Sequence, residues 1–117
     1  MITALVELDF PAGTTVAEAA EIFKQMAPEF RVMPGLIRKY CLFGGDSKVI
    51  GVCLWEDRES AELSFDDNWR RTMAQRYGAE PQLTYYATPI VVDNALGVIE
   101  GDAVGGSFGV ISGAAAE

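Results

Sequence analysis

Side chains that can bind a small organic molecule lie close together in the middle of the sequence. Arg38 and Tyr40 are two residues apart in a predicted strand, and Trp55 ends the strand that follows. Alternate residues of a strand point to the same face of a sheet, so Arg38 and Tyr40 share a face. A guanidinium can hold an anion, a phenol can donate a hydrogen bond and an indole can form an apolar wall. Such a combination is typical of a ligand pocket.

The hairpin that carries these residues decides which side chains accompany them. Residues 44–47, Gly-Gly-Asp-Ser, separate strands predicted over Leu36–Phe43 and Lys48–Trp55. Pairing across this turn puts one set of side chains on the first face: Arg38, Tyr40, Leu42, Val49, Gly51, Cys53 and Trp55. The opposite face receives a more apolar set: Ile37, Cys41, Phe43, Ile50, Val52 and Leu54. We expect the apolar set to meet the helices, and the first set to line an open face together with Thr3 and with Glu7, a candidate base.

Each of these residues also has an ordinary structural role available. Arg38 can end in solvent at a strand edge, and Glu7 can pair with Arg38 across the sheet. Tyr40 and Trp55 can be interface aromatics. Both interpretations remain open from the sequence.

The surrounding pattern predicts strands and helices in alternation. Residues 2–10 alternate as a strand, and Thr15 with Glu18 forms a capping box that begins a helix ending near Pro28. After the hairpin, Asp57 can cap a second helix, which we expect to break near residues 66–68. A last strand spans residues 82–92. The order βαββαβ predicts an α+β, ferredoxin-like fold with a four-stranded antiparallel sheet and both helices on one face.

The predicted sheet divides the chain into a domain and an arm. We expect residues 1–92 to form the ferredoxin-like domain, and the glycine-rich residues 93–117 to form an arm that packs on a partner subunit. An open apolar sheet face needs a cover, so we expect a homodimer. On the last strand Tyr85 and Tyr86 point to opposite faces, so only one of them can reach a cavity on the open face.

Composition excludes several classes of function. The net charge is −8 with no run of Lys or Arg, so nucleic acid and anionic membranes are unfavourable partners. The N-terminus lacks the pattern of a signal peptide, which predicts a cytoplasmic protein. No histidine occurs in the chain, which excludes histidine metal sites and Ser-His-Asp triads, and we predict no metal. We expect Cys41 and Cys53 to lie on opposite faces as reduced thiols.

Three stretches carry a resemblance to a known family. The sequences LDFP at residues 8–11, MPGLI at 33–37 and LWEDRESAE at 54–62 resemble the YdhR-like monooxygenases. These belong to the dimeric α/β-barrel superfamily, alongside the antibiotic biosynthesis monooxygenases. The resemblance covers residues 2–92 and implies two sheets packed face to face with one cavity per subunit. It also matches Trp55 to the tryptophan that follows the third strand in the antibiotic monooxygenases.

The resemblance implies a chemistry that needs no cofactor, with O₂ as co-substrate. An ionised phenol or enol of a small aromatic or polycyclic substrate gives an electron to O₂, and a peroxide then collapses to a quinone. Where many relatives carry a histidine, this chain has Asn68 and Trp69, which become candidate substrate-binding residues. The helical spacing of Trp69 from Phe65 and Met73 favours core packing instead. A cofactor-free isomerase or cyclase and a non-catalytic binding dimer remain alternatives.

Overall fold

Helices cover one face of a four-stranded antiparallel sheet in a computed structural model that describes residues 1–102 and 108–113. The elements in chain order are β1 (Ile2–Asp9), α1 (Val16–Arg31), β2 (Leu36–Phe43), β3 (Lys48–Trp55), α2 (Arg58–Ser64), α3 (Asp67–Tyr77), β4 (Gln82–Ala87), β5 (Ile90–Asp93), β6 (Val98–Asp102) and β7 (Phe108–Gly113). The main sheet has strand order β2-β3-β1-β4, and β5, β6 and β7 form a second sheet. The predicted ferredoxin-like α+β architecture is confirmed.

The first helix begins as its sequence predicts. The Thr15 amide donates to Glu18 Oε1 at 2.9 Å, and the Glu18 amide donates to Thr15 Oγ1 at 3.1 Å, which completes the capping box. The predicted end near Pro28 was wrong, because α1 continues to Arg31. A proline costs the helix one backbone hydrogen bond without ending it here, and the extra turn brings Phe30 to the helix-facing side of the sheet.

The second helical region is two helices, as the predicted break requires. Asp57 caps α2 by accepting from the Ser60 amide at 2.8 Å. Asp66 caps α3 in the same way, by accepting from the Trp69 amide at 2.8 Å. Two carboxylate caps in one stretch begin two helices, and the bend between them turns α3 back over the sheet.

The single strand predicted over residues 82–92 is instead two strands in different sheets. β4 ends at Ala87, and the Thr88 amide then donates to the Met1 carbonyl at 3.0 Å. Pro89 has no amide hydrogen to continue the ladder, so the main sheet stops there. The second sheet therefore begins at Ile90, within the range predicted for the last strand of the main sheet.

The hairpin between β2 and β3 has a different register from the predicted one. Phe43 pairs with Val49 rather than with Lys48, and the Gly44 amide donates to the Lys48 carbonyl at 2.9 Å. The connection is a short 3₁₀ turn in which Asp46 adopts a left-handed conformation, with φ of 59°. The turn takes up one residue more than expected, and a shift of one residue moves a whole strand's side chains to the other face.

This register reassigns the two faces of the sheet. The helix-facing side chains of β2 and β3 are Leu36, Lys39, Cys41, Phe43, Val49, Gly51, Cys53 and Trp55. The open face carries Arg38, Tyr40, Leu42, Ile50, Val52 and Leu54, with Thr3, Leu5 and Glu7 from β1. The prediction that Trp55 lines the open face was wrong, as was the prediction that Ile50, Val52 and Leu54 meet the helices.

The two cysteines share a face, which corrects the prediction that they lie on opposite faces. Cys41 pairs with Gly51, and Lys39 pairs with Cys53, so the two thiols occupy diagonal positions of neighbouring strands. Both are free thiols, with Cys53 buried and Cys41 partly buried. Diagonal positions lie about 7–8 Å apart, which is too far for a disulfide without backbone movement.

The second sheet continues the chain beyond the ferredoxin-like part. β5 pairs with β6, and β6 pairs with β7, all antiparallel. Asp93 organises the β5–β6 turn, because its Oδ1 accepts from the amides of Ala95 and Leu96, both at 3.0 Å. Its Oδ2 accepts from Arg38 Nη2 at 2.5 Å, which ties the second sheet to the main one.

Part of the predicted arm is not described. Residues 103–107 and 114–117 of the segment expected to pack on a partner lie outside the described residues. Within the described ranges, no helix combines the length and the apolar character that crossing a bilayer requires.

Candidate active site

A cavity lies between the main sheet and its helices. Its volume is about 70 Å³, several times the ~10–15 Å³ that one water molecule needs. Strands β1, β2 and β3 form its floor, and α1 and α3 cover it. Its polar or sulfur-bearing lining residues are Met26, Met33, Lys39, Cys41, Cys53, Trp55, Ser64, Trp69, Met73 and Tyr77. The rest of the lining is apolar, so a bound molecule would lose most of its water.

Trp55 forms one wall of this cavity. It is fully buried, and its indole Nε1–H has no hydrogen-bond acceptor among the described residues. Phe65 packs edge-on against it with ring centroids 5.6 Å apart, and Trp69 lies 4.7 Å beyond Phe65. These contacts fix the indole. A buried donor without a partner destabilises the fold by about 1–3 kcal/mol. A ligand acceptor that reached this N–H would remove that cost.

Lys39 brings a positive charge to the cavity. Its side chain runs over Gly51, where a Cβ would lie 3.5 Å from Lys39 Cε, and its Nζ sits 3.7 Å from the centroid of the Phe30 ring. Of the described residues that line the cavity, Lys39 is the charged one, and none is a carboxylate. The cavity can therefore favour an anionic group on an otherwise apolar ligand.

The two thiols of the cavity remain protonated at neutral pH. Burial raises the pKa of Cys53, and the neighbouring Lys39 opposes that rise. Burial likewise raises the pKa of Cys41, again against the charge of Lys39. A thiol with a raised pKa is a poor nucleophile. Both residues therefore contribute lining rather than covalent chemistry.

Arg38 and Tyr40 lie on the open face, outside this cavity. Arg38 pairs with Asp93 and also donates to Tyr40 Oη at 3.5 Å. The Asp93 carboxylate raises the pKa of Arg38, and Arg38 in turn lowers the pKa of Asp93. The charge that we expected to face a substrate is therefore neutralised by a carboxylate in the same chain. Arg38 holds the second sheet in this structure.

Glu7 and Thr3 also lie on the open face. Glu7 faces Lys48 at 3.9 Å, and the Thr3 hydroxyl is paired with that of Thr88. Glu7 lines a separate groove, which Lys48 also lines, and it does not line the cavity that contains Trp55. Neither residue meets the wall of the cavity.

The remaining expected residues divide between the two faces. Tyr86 pairs with Thr3 and is exposed on the open face, whereas Tyr85 points to the helices, where burial raises its pKa and Arg58 lies 4.5 Å from its ring centroid. Asn68 is exposed on α3. Trp69 lines the cavity.

The structure thus brings Trp55 and Trp69 together and separates them from the other expected residues. Sequence reasoning missed Lys39 and the cysteines as lining residues. One signal was available: Lys39 occurs within a strand of mostly apolar residues, and Gly51 stands in the neighbouring strand where a long side chain needs room.

Structure comparison places this architecture among known proteins. Neither a family model nor a curated protein matches the sequence. A monooxygenase from the gene ActVA-Orf6 of Streptomyces coelicolor, solved with the ligand nanaomycin D, aligns with a TM-score of 0.55 and 16% identity over 74% of this chain and 86% of its own. The chain has the fold of this monooxygenase. SnoaB of Streptomyces nogalater, a cofactor-independent oxygenase, aligns with a TM-score of 0.53 and 16% identity over 74% and 91% of the two chains.

The fold shared with these solved structures accounts for only part of the sequence. The structural-genomics protein YJCS aligns with a TM-score of 0.53 and 14% identity. The alignment includes 99% of YJCS but only 75% of this chain. About a quarter of the chain thus lies beyond the shared fold, which is close to the length of the segment after β4.

Proposed function

We propose that this protein is a cofactor-independent monooxygenase that oxidises a small hydroxylated aromatic molecule in the cavity beneath the helices. The observation that carries the proposal is the fully buried Trp55 indole, whose N–H meets no acceptor among the described residues and which lines a mostly apolar cavity. Two neighbours of the same fold are described as a monooxygenase and a cofactor-independent oxygenase, which supports this class of reaction.

The reaction in such a site is driven by the substrate. An ionised phenol or enol transfers one electron to O₂, the resulting radical and superoxide combine, and the carbon peroxide formed loses water to leave a carbonyl. For an anthrone the balance is one CH₂ and one O₂ giving one C=O and one H₂O, so substrate electrons reduce the second oxygen atom. The protein contributes position, a water-poor surrounding and stabilisation of the anion.

We also propose that the functional unit is a homodimer formed through the open face. This face carries exposed apolar side chains, with Tyr40 53% and Leu42 45% exposed. An exposed apolar sheet of this kind is typical of an interface. The cavity under the helices does not depend on this contact.

Oxygen uptake with a panel of anthrones and hydroquinones tests the proposal. We expect uptake with stoichiometric quinone formation by the metal-stripped protein, and roughly a tenfold loss of kcat/KM in Trp55→Phe, which removes one hydrogen-bond donor. Leu63→Ala, on the exposed surface of α2, is the control. Product without oxygen uptake would indicate an isomerase or cyclase, and tight binding without turnover would indicate a binding protein.

A further inference from the structure

The Lys39 side chain has two weak partners for its ammonium among the described residues, the face of the Phe30 ring and the neighbouring Cys53 thiol. No described carboxylate lies within ion-pair distance of it, and its ammonium rests on the face of Phe30 at 3.7 Å. A cation on an aromatic face gains less than one hydrogen-bonded to an anion in a water-poor site. An anionic ligand in the cavity would therefore compete successfully for this ammonium.

The neighbouring ionisable groups supply no competing anion. Those that line the cavity beside Lys39 are Cys41 on β2, Cys53 on β3 and Tyr77 at the end of α3. Burial raises the pKa of both thiols, so they are neutral at neutral pH. The Tyr77 ring stacks on Phe10 at 5.4 Å, within the aromatic cluster at the far end of the sheet.

We propose that Lys39 binds the ionised oxygen of the substrate, so that the cavity selects small phenols and enols that carry a negative charge on a ring oxygen. The substrate class rests on the proposed function. Trp55, which also lines the cavity, supplies a neutral donor to a second oxygen. Gly51 lies beneath the Lys39 side chain, where an added Cβ would be in ordinary van der Waals contact with Lys39 Cε at 3.5 Å.

An equilibrium titration with 4-nitrophenol tests the assignment without any turnover. Only the ionised form of this probe is yellow, so absorbance reports its ionisation in the bound state. We expect the wild-type protein to lower the pKa of the bound probe, and to bind the phenolate about tenfold more tightly than the uncharged 4-nitroanisole. Lys39→Met, which keeps an unbranched side chain, should abolish both effects, and Lys39→Arg should keep part of them. Lys24→Met, on the exposed face of α1, should change neither.

Each outcome decides the proposal. A folded Lys39→Met variant that retains the shift, or a wild-type protein that prefers 4-nitroanisole or fails to bind 4-nitrophenol, would overturn it. If Lys39→Met does not fold, the comparison of the two probes on the wild type still decides. If the protein lowers the pKa of bound 4-nitrophenol but takes up no oxygen, the monooxygenase proposal fails and the anion site at Lys39 stands. If the protein takes up oxygen but the Lys39→Met variant still lowers the pKa of the bound probe, only the anion site at Lys39 is refuted.

Discussion

Adjacent residues of β2 place two cations on opposite sides of one sheet. Arg38 faces the open side and is neutralised by Asp93, whereas Lys39 faces the cavity without a carboxylate partner among the described residues. Successive side chains of a strand point to opposite faces of the sheet, so residues adjacent in sequence have different surroundings. The contrast explains why residue type alone could not identify the cation of the cavity. Arg38 is the stronger anion binder by chemistry, but its position commits it to another role.

Gly35 provides a prediction at the same scale. Its φ is +81°, and a Cβ there would lie 2.4 Å from Ser60 Oγ and 2.5 Å from Ser60 Cβ. We expect Gly35→Ala to lower the free energy of unfolding by roughly 2–4 kcal/mol, through backbone strain together with the clash. Urea denaturation measures this loss.

A matched variant separates the two causes. Gly13 has φ of +86°, and an added methyl group there would meet nothing described within 4 Å, so Gly13→Ala should cost only about 1–2 kcal/mol. Adding Ser60→Gly to Gly35→Ala should recover part of the larger loss. Equal losses in Gly35→Ala and Gly13→Ala would show that the close approach to α2 has no energetic weight.

At the scale of elements, the sequence predicted what local chemistry determines. Thr15, Asp57 and Asp66 begin helices because their side chains satisfy free amides, and that signal is entirely local. The faces of β3 were not predictable in this way. The sequence of Lys48–Trp55 is apolar at almost every position, so alternation gives no sign of which side meets the helices. The length of the turn decided it, and Gly-Gly-Asp-Ser permits either register.

The same ambiguity explains the outcome for the candidate site. The predicted role of Trp55 as an apolar wall stays a prediction, but its predicted face was wrong because it followed from the wrong register. Trp69 was weighed between substrate contact and core packing, and it both lines the cavity and packs on Phe65. Neither predicted set of face residues includes Lys39, so no role was predicted for this residue.

The attachment of β5 to the main sheet should depend on pH. Hydrogen bonds from Arg38 and from the amides of Leu96 and Ala95 lower the pKa of Asp93 below its ordinary value of 3.8. A carboxyl group whose pKa is lowered in the folded state stabilises that state fully at any pH above its ordinary pKa. This stabilisation is lost as the pH falls through the pKa of the folded state. We expect the protection of the Ala95 and Leu96 amides from hydrogen exchange, relative to the intrinsic rate at each pH, to be lost only in that acidic range.

Asp93→Asn distinguishes attachment from turn formation. The amide oxygen can still accept from the Ala95 and Leu96 amides, but the charge that pairs with Arg38 is gone. We expect exchange in the β5–β6 turn to stay slow while proteolytic cleavage after β4 becomes faster at neutral pH. Unchanged cleavage would mean that the ion pair does not hold the second sheet.

On the scale of the whole molecule, the open face determines how copies meet. We expect sedimentation at twice the mass of the chain, and we expect Leu42→Glu to shift it to the monomer because each protomer would have to bury an unpaired carboxylate in an apolar interface. Leu63→Glu is the matched control, since Leu63 is 71% exposed on α2 away from that face. A wild-type monomer at micromolar concentration, or a dimer that Leu42→Glu leaves intact, would contradict the expected interface.

The placement of the two tryptophans allows ligand binding in the cavity to be followed by tryptophan fluorescence. The chain contains only Trp55 and Trp69, and both line the cavity. Intrinsic fluorescence excited at the indole band therefore originates entirely from its walls, without background from a distant indole. A quinone or nitroaromatic that enters will quench this emission by energy or electron transfer over a few ångströms. Compound libraries can thus be screened label-free for occupancy before any reaction is known, and stopped-flow quenching can time product departure.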